Sequence, residues 1–129
     1  MAVSKDLSKY RFEKAQECLL DAKMSLDAGR FDFAANRSYY CIFHCMRSVL
    51  ALEEIDFKKH SAVIAHFRNN YVKTNKFNKR ISNIISDLFE LRDKSDYEDF
   101  FVISKKEVAE QVKNAEHFLQ QIKIYLESI

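Results

Sequence analysis

The stretch Asn36-Arg37-Ser38-Tyr39-Tyr40-Cys41-Ile42-Phe43-His44, NRSYYCIFH, opens a longer run that continues through Met46, Val49, Leu50 and Leu52. Wound at 3.6 residues per turn, its apolar residues fall on every side of the spiral. A helix that is apolar all round is covered by neighbours from several directions. The segment therefore reads as the central helix of a bundle. One arginine, two tyrosines and one histidine lie in its opening NRSYYCIFH, and they decide whether it is only a core or also a site.

Composition points to the same fold class. The 129 residues include one glycine and no proline. Tight turns and hairpins draw on these two residues, so long helices with few turns are expected. The length suits a single domain, residues 1–129. No apolar run reaches the eighteen or more residues of a membrane span, and the opening MAVSKDLSKY lacks the apolar centre of a secretory signal. A cytoplasmic protein away from membranes is the expectation.

Outward from the central run, five helical segments are predicted, with no strand. The first covers about Leu7 to Ala28, where Phe12, Ala15, Leu19, Ala22 and Leu26 recur at three- and four-residue spacing. Gly29 follows, placed to end it in a left-handed cap. The second runs from about Phe31 to Glu53. After a polar break, a short third helix opens at His60 or Ser61, with one of these as its cap. Asn69-Asn70 and Thr74-Asn75 punctuate a basic loop. The fourth covers roughly Asn78 to Lys94, and Ser95 to Ile103 is irregular. Ser104 and Glu107 form a capping box for the last helix. The sum is an all-α, up-and-down bundle of four main helices plus a short one.

Net charge is +2, which names no partner. Its distribution says more. From Lys58 to Arg80 there are seven lysines and arginines, two histidines and no acid. Such a segment suits a phosphate backbone, or else a solvated face balanced by acids elsewhere. Cys18, Cys41 and Cys45 show no metal-ligand spacing and read as small core residues. No glycine-rich phosphate loop, zinc spacing or nucleophile elbow is present, so neither a cofactor nor a metal is expected.

Three constellations carry chemistry. Arg37 and His44 are seven apart, about 10 Å along one helix face, with Tyr40 and Cys41 between. The face offers a guanidinium, a phenol and an imidazole to a shared polar ligand. Alternatively, Arg37 pairs with a carboxylate on a neighbouring helix and the tyrosines pack. In LRDKSDYEDF, Arg92 precedes Asp96 and Tyr97. This is either a local ion pair or a pocket wall with Arg92 on a phosphate. In KKHSAVIAHF, His60 stands at a helix start, where it either caps the helix or meets an anion.

Taken in order, R-x-Y-Y-x-x-F-H, K-x-H-S-x-V-I and L-R-x-x-x-D-Y resemble the HEPN domain, in its small stand-alone prokaryotic form. The likeness covers roughly Leu7 to Leu126. It implies a helical bundle that dimerises, binds RNA or nucleotide, and in many members cuts RNA without a metal. It also implies a toxin role beside a nucleotidyltransferase antitoxin. The family's nuclease signature, R-x(4–6)-H, falls on two places. By chain position it is Arg92 to Tyr97, with Asp96 near the histidine's place; by pattern it is Arg37 to His44. The resemblance thus nominates Arg37, His44, Arg92, Asp96 and Tyr97 for catalysis. For RNA or nucleotide binding it nominates Arg37, Tyr40, His44, His60, Arg92 and Tyr97. Cleavage would be attack by the 2′-hydroxyl on its own phosphate, with His44 as base or acid and an arginine holding the charge. RNA endonuclease is the alternative to binding alone. A structural module without nucleic acid is a second.

Overall fold

Gly29 adopts φ +76°, the left-handed conformation expected of it. The Gly29 amide donates to Leu26 O at 3.1 Å and the Arg30 amide to Ser25 O at 2.8 Å, closing a Schellman cap. In the computed structural model, which describes residues 2–129, this cap reverses the chain between α1 (Ala2–Asp27) and α2 (Phe31–Leu52). Next come α3 (His60–Phe67), a π-helical turn (Arg68–Val72), α4 (Lys79–Tyr97) and α5 (Lys105–Glu127). The architecture is the expected all-α bundle.

Helix α2 is its axis. It packs against α1, α3, α4 and α5, which is why its sequence is apolar on nearly every side. Tyr39, Ile42, Met46 and Leu50 are fully buried among Ala15, Phe67, Leu88, Phe118 and Ile122. Burying each large side chain stabilises the bundle by roughly 1.5–3 kcal/mol. A smaller apolar group, Ala34, Ala35, Leu91, Ile103 and Val108, ties the start of α2 to the last turns of α4 and the start of α5. Ser104 caps α5 as expected, its hydroxyl accepting from the Glu107 amide at 3.1 Å.

Four details depart from the sequence reading. Helix α1 begins by Ala2, earlier than Leu7, and its buried Ser8 donates to Ser48 O at 2.7 Å. That buried polar contact has no apolar signature. Helix α4 continues to Tyr97, through three residues expected to be irregular. No glycine or proline stops it, and Lys94–Glu90 supports its last turns at 2.9 Å. The loop after α3 contains the π-helical turn, and just beyond that turn Thr74 Oγ1 donates back to Asn70 O at 2.7 Å. Finally, neither His60 nor Ser61 caps α3. Lys59 holds the N-cap position without a side-chain bond, because His60 turns inward to Tyr39.

Candidate functional site

Only one stripe of α2 stays partly uncovered between Phe33 and Arg47. It consists of Phe33, Asn36, Arg37, Tyr40, His44 and Arg47, while the intervening residues are buried. The spacing of three and four is that of one helix face. Helix α1 borders the stripe on one side, with Cys18 Sγ 4.0 Å from Arg37. Helices α3 and α4 border it on the other.

Tyr40 is where the stripe meets its neighbours. The Arg37 guanidinium lies 5.2 Å from its ring centre and that of Arg92, from α4, 5.7 Å. Arg92 Nη1 donates to the Tyr40 hydroxyl at 3.4 Å. The His60 ring stands edge-on at 5.8 Å and the His44 ring tilted at 6.2 Å. Four of the nominated residues are thus gathered round a fifth, Tyr40, from three helices.

The two arginines are held differently. Arg37 takes no carboxylate; its Nε and Nη2 donate to Asn36 Oδ1 at 3.1 and 2.7 Å. The expected pairing with an acid on a neighbouring helix is therefore replaced by an adjacent amide. Asn36 Nδ2 in turn donates to Asp96 Oδ2 at 3.3 Å. That oxygen is 4.0 Å from Arg92 Nε, which is buried with no hydrogen-bond partner. Asp96 thus pairs at long range with Arg92 and reaches Arg37 only through the Asn36 amide. Arg92 also sits 4.6 Å over the Tyr39 ring and 5.8 Å from Phe89, a desolvated perch that favours cation–π attraction.

His60 Nδ1 lies 3.0 Å from the Tyr39 hydroxyl, and its ring stacks on Phe43 at 4.0 Å. Burial, then the charges of Arg92 and Arg47, lowers its pKa. His44 is lowered further, to about 4, by burial first and then by Arg47, Lys14, Arg37 and Arg11. Its Nδ1 is buried without a partner. At neutral pH His44 is an uncharged ring; it can accept a proton but has none spare to give. Burial raises the Tyr39 pKa to about 12, so that hydroxyl stays protonated.

Tyr97 stands apart. It is 73% exposed, and no hydrogen bond or ring contact joins it to the cluster. The extension of α4 explains both outcomes. Continued helix puts Asp96 one turn above Arg92, facing α2, and turns Tyr97 outward.

The stripe ends in a second small group that the sequence reading did not include. Arg47 and Arg11 both reach Asp56 Oδ2, at 3.0 and 3.1 Å. A hollow of ≈ 370 Å³ there is lined by Phe43, Arg47, Asp56, Phe57, Lys58 and His60. Arg47 continues the Arg37, Tyr40, His44 spacing, so extending the stripe one turn would have found it. Asn36 and Phe89 were also missed, and only tertiary packing gives them a role.

Cys41 and Cys45 are fully buried, and burial pushes the Cys45 thiol well up, away from a reactive thiolate. Among the described residues no three metal-ligating side chains are grouped, and no helix is long and apolar enough to cross a membrane.

Comparison with known proteins adds the following. The model of the HEPN domain matches residues 8–125. A Thermotoga maritima protein named "UPF0332 protein" is 35% identical over 121 residues, covering 94% of this chain and 92% of its own. Two Methanocaldococcus jannaschii proteins are also similar. The one named "Putative toxin MJ0142" is 35% identical over 88% of this chain and 78% of its own; "Putative toxin MJ0605" is 31% identical over 91% and 87%.

Proposed function

The chain belongs to the HEPN domain family, and on that premise we propose that it binds RNA or a nucleotide phosphate along the α2 stripe. We further propose that it does so as the toxin-type half of a pair with a nucleotidyltransferase, and as a homodimer. The observation that carries the binding site is the convergence of Arg37 and Arg92 on Tyr40 with only Asp96 between them. Two guanidinium forks beside an aromatic face match an anionic phosphate and the base next to it. The relatives named as toxins support the biological setting.

Arg37 and Arg92 hold the phosphate, Tyr40 supplies the stacking surface and His60 a ring-nitrogen contact. Asp96 keeps Arg92 oriented through its i, i+4 relation. The test is fluorescence anisotropy with a single-stranded RNA. Arg37→Ala and Arg92→Ala are each expected to weaken binding about tenfold or more, as loss of a charge-assisted contact of about 1.5–3 kcal/mol implies. Equal affinity of both variants and the parent would remove the assignment. The same mixtures on a denaturing gel address RNA cleavage, the second reading, which the Arg37-x6-His44 pattern on the stripe favours. Products that persist in EDTA and vanish in His44→Ala support it; intact RNA throughout removes it.

A further inference from the structure

Beyond the stripe, between α3, the π-helical turn and α4, lies a second cavity of ≈ 610 Å³. Ile64, Ala65, Ile85 and Phe89 give it apolar surfaces, and Ser61, Arg68 and Asn69 bring polar groups to its edge. It adjoins the phosphate-binding cluster through Phe89, which lies 5.8 Å from the Arg92 guanidinium, and through Ser61, the chain neighbour of His60.

Arg68 is built into this cavity. Its Nε donates to Ser82 Oγ at 3.0 Å, and its Nη2 to Ser82 O at 2.9 Å and Ser86 Oγ at 2.5 Å. The guanidinium is fixed by three neutral oxygens of α4, and among the described residues no carboxylate lies within ion-pair reach of it. It is also the first residue of the π-helical turn, a widened helical turn of the kind that recurs at functional sites. Lys73 and Glu90 complete the lining. A mainly apolar cavity with an amide, hydroxyls and a carboxylate at its edge and a fixed cation beside it has the chemistry of a nucleobase site. Faces of a base are apolar, and its edge carries paired donors and acceptors that an asparagine side chain matches in adenine.

We propose that this cavity receives the nucleobase of the nucleotide whose phosphate rests on Arg92, with Phe89 as the stacking surface and Asn69 at the base edge. Resting on the phosphate reading above, it makes the ligand a nucleotide unit rather than a bare phosphate, and gives α3 and the π-helical turn a direct part in recognition.

The test compares three kinds of probe by calorimetry or NMR titration on the full chain: the four ribonucleoside 5′-monophosphates, ribose 5-phosphate, and adenosine. At least one monophosphate is expected to bind about tenfold or more tighter than ribose 5-phosphate, the increment expected of a stacked base. Ala65 is exposed on the cavity wall, so Ala65→Trp fills the slot without touching the core. That variant should bind the preferred monophosphate no better than ribose 5-phosphate, while ribose 5-phosphate affinity stays as in the parent. Asn69→Leu should reduce the difference among the four bases, with circular dichroism confirming the fold of both variants. If no base adds affinity over ribose 5-phosphate, or Ala65→Trp weakens both ligands equally, the cavity is not a base site. The two assignments separate cleanly. Adenosine binding that is lost in Ala65→Trp, with no ribose 5-phosphate binding, sustains the base site and overturns the phosphate site. Phosphate binding lost in Arg92→Ala, without a base increment, does the reverse. Absence of binding by all probes overturns both.

Discussion

His44 shows how a single ring can report on its surroundings. It is a half-buried imidazole whose nearest charges, from Arg47, Lys14, Arg37 and Arg11, are all positive, and its pKa falls from 6.5 to about 4. A histidine held neutral in the folded chain but free to protonate when unfolded ties stability to pH. Above pH 6.5 both states are neutral and the native state carries no penalty. As pH falls toward 4, the unfolded chain takes up the proton first, and stability is lost. His60 and His117 are lowered in the same sense. Denaturant unfolding of the parent should therefore show a fall in stability between pH 7 and pH 4.5. His44→Gln should remove part of that fall, on the order of 1 kcal/mol once solvent screening of a half-exposed ring is allowed for. Identical pH profiles for parent and variant would show that His44 is not held neutral. The same ring bears on chemistry: an imidazole this weak a base is a hydrogen-bond acceptor first, and a proton shuttle only with a substrate that restores its basicity.

At the scale of elements, α1 and α2 end in the same way with different residues. Gly29 closes α1 at φ +76°, and Glu54 closes α2 at φ 59°, with the Glu54 amide on Ala51 O at 3.0 Å and the Ile55 amide on Leu50 O at 3.2 Å. Both are Schellman caps. Glycine takes the left-handed conformation freely, whereas a side chain there costs about 1 kcal/mol. Opposite exchanges should then shift stability in opposite directions. Gly29→Ala is expected to lower the melting temperature by about 4 °C and Glu54→Gly to raise it by a smaller amount, read by thermal circular dichroism. Shifts of the same sign would refute the cap argument. Gly29 was legible in the sequence because glycine announces its purpose; Glu54 was not, since nothing in a glutamate marks a left-handed residue. The same division runs through the site. Helical spacing alone put Arg37, Tyr40 and His44 on one stripe, and the residue chemistry of LRDKSDYEDF offered Arg92 as a phosphate ligand. The position of His60 depended on a stack with Phe43 and a contact with Tyr39 that no spacing encodes, so it looked like a cap. The outward direction of Tyr97 was hidden for a local reason: it depends on whether Ser95 to Tyr97 continue α4, and that stretch gives no periodic signal.

Across the whole molecule, a net charge of +2 cannot by itself hold RNA, so any affinity must come from how the charge is arranged. The acid-free stretch from Lys58 to Arg80 spans the loop before α3, α3 itself, the π-helical turn and the loop before α4. Its first lysine lines the hollow that Arg47, Phe43 and His60 share with the end of the stripe. Three other lysines, Lys5, Lys9 and Lys123, surround a separate apolar cleft of ≈ 740 Å³ between the start of α1 and the end of α5, beside Glu127. If single-stranded RNA follows the stripe, it leaves past Lys58 and does not approach the α1–α5 cleft. Each phosphate contact on a single strand contributes about 0.7 to the slope of log affinity against log salt. Lys58→Gln with Lys59→Gln should reduce that slope by about 1.4, whereas Lys5→Gln with Lys9→Gln should leave it unchanged. Both substitutions alter net charge equally, so a general field effect would change the two slopes alike. That result would mean the bundle holds RNA by diffuse attraction and not along α2. A slope moved only by the α1 lysines would place the RNA at the other end of the bundle, and the arginines around Tyr40 would then have to be explained as a device of packing.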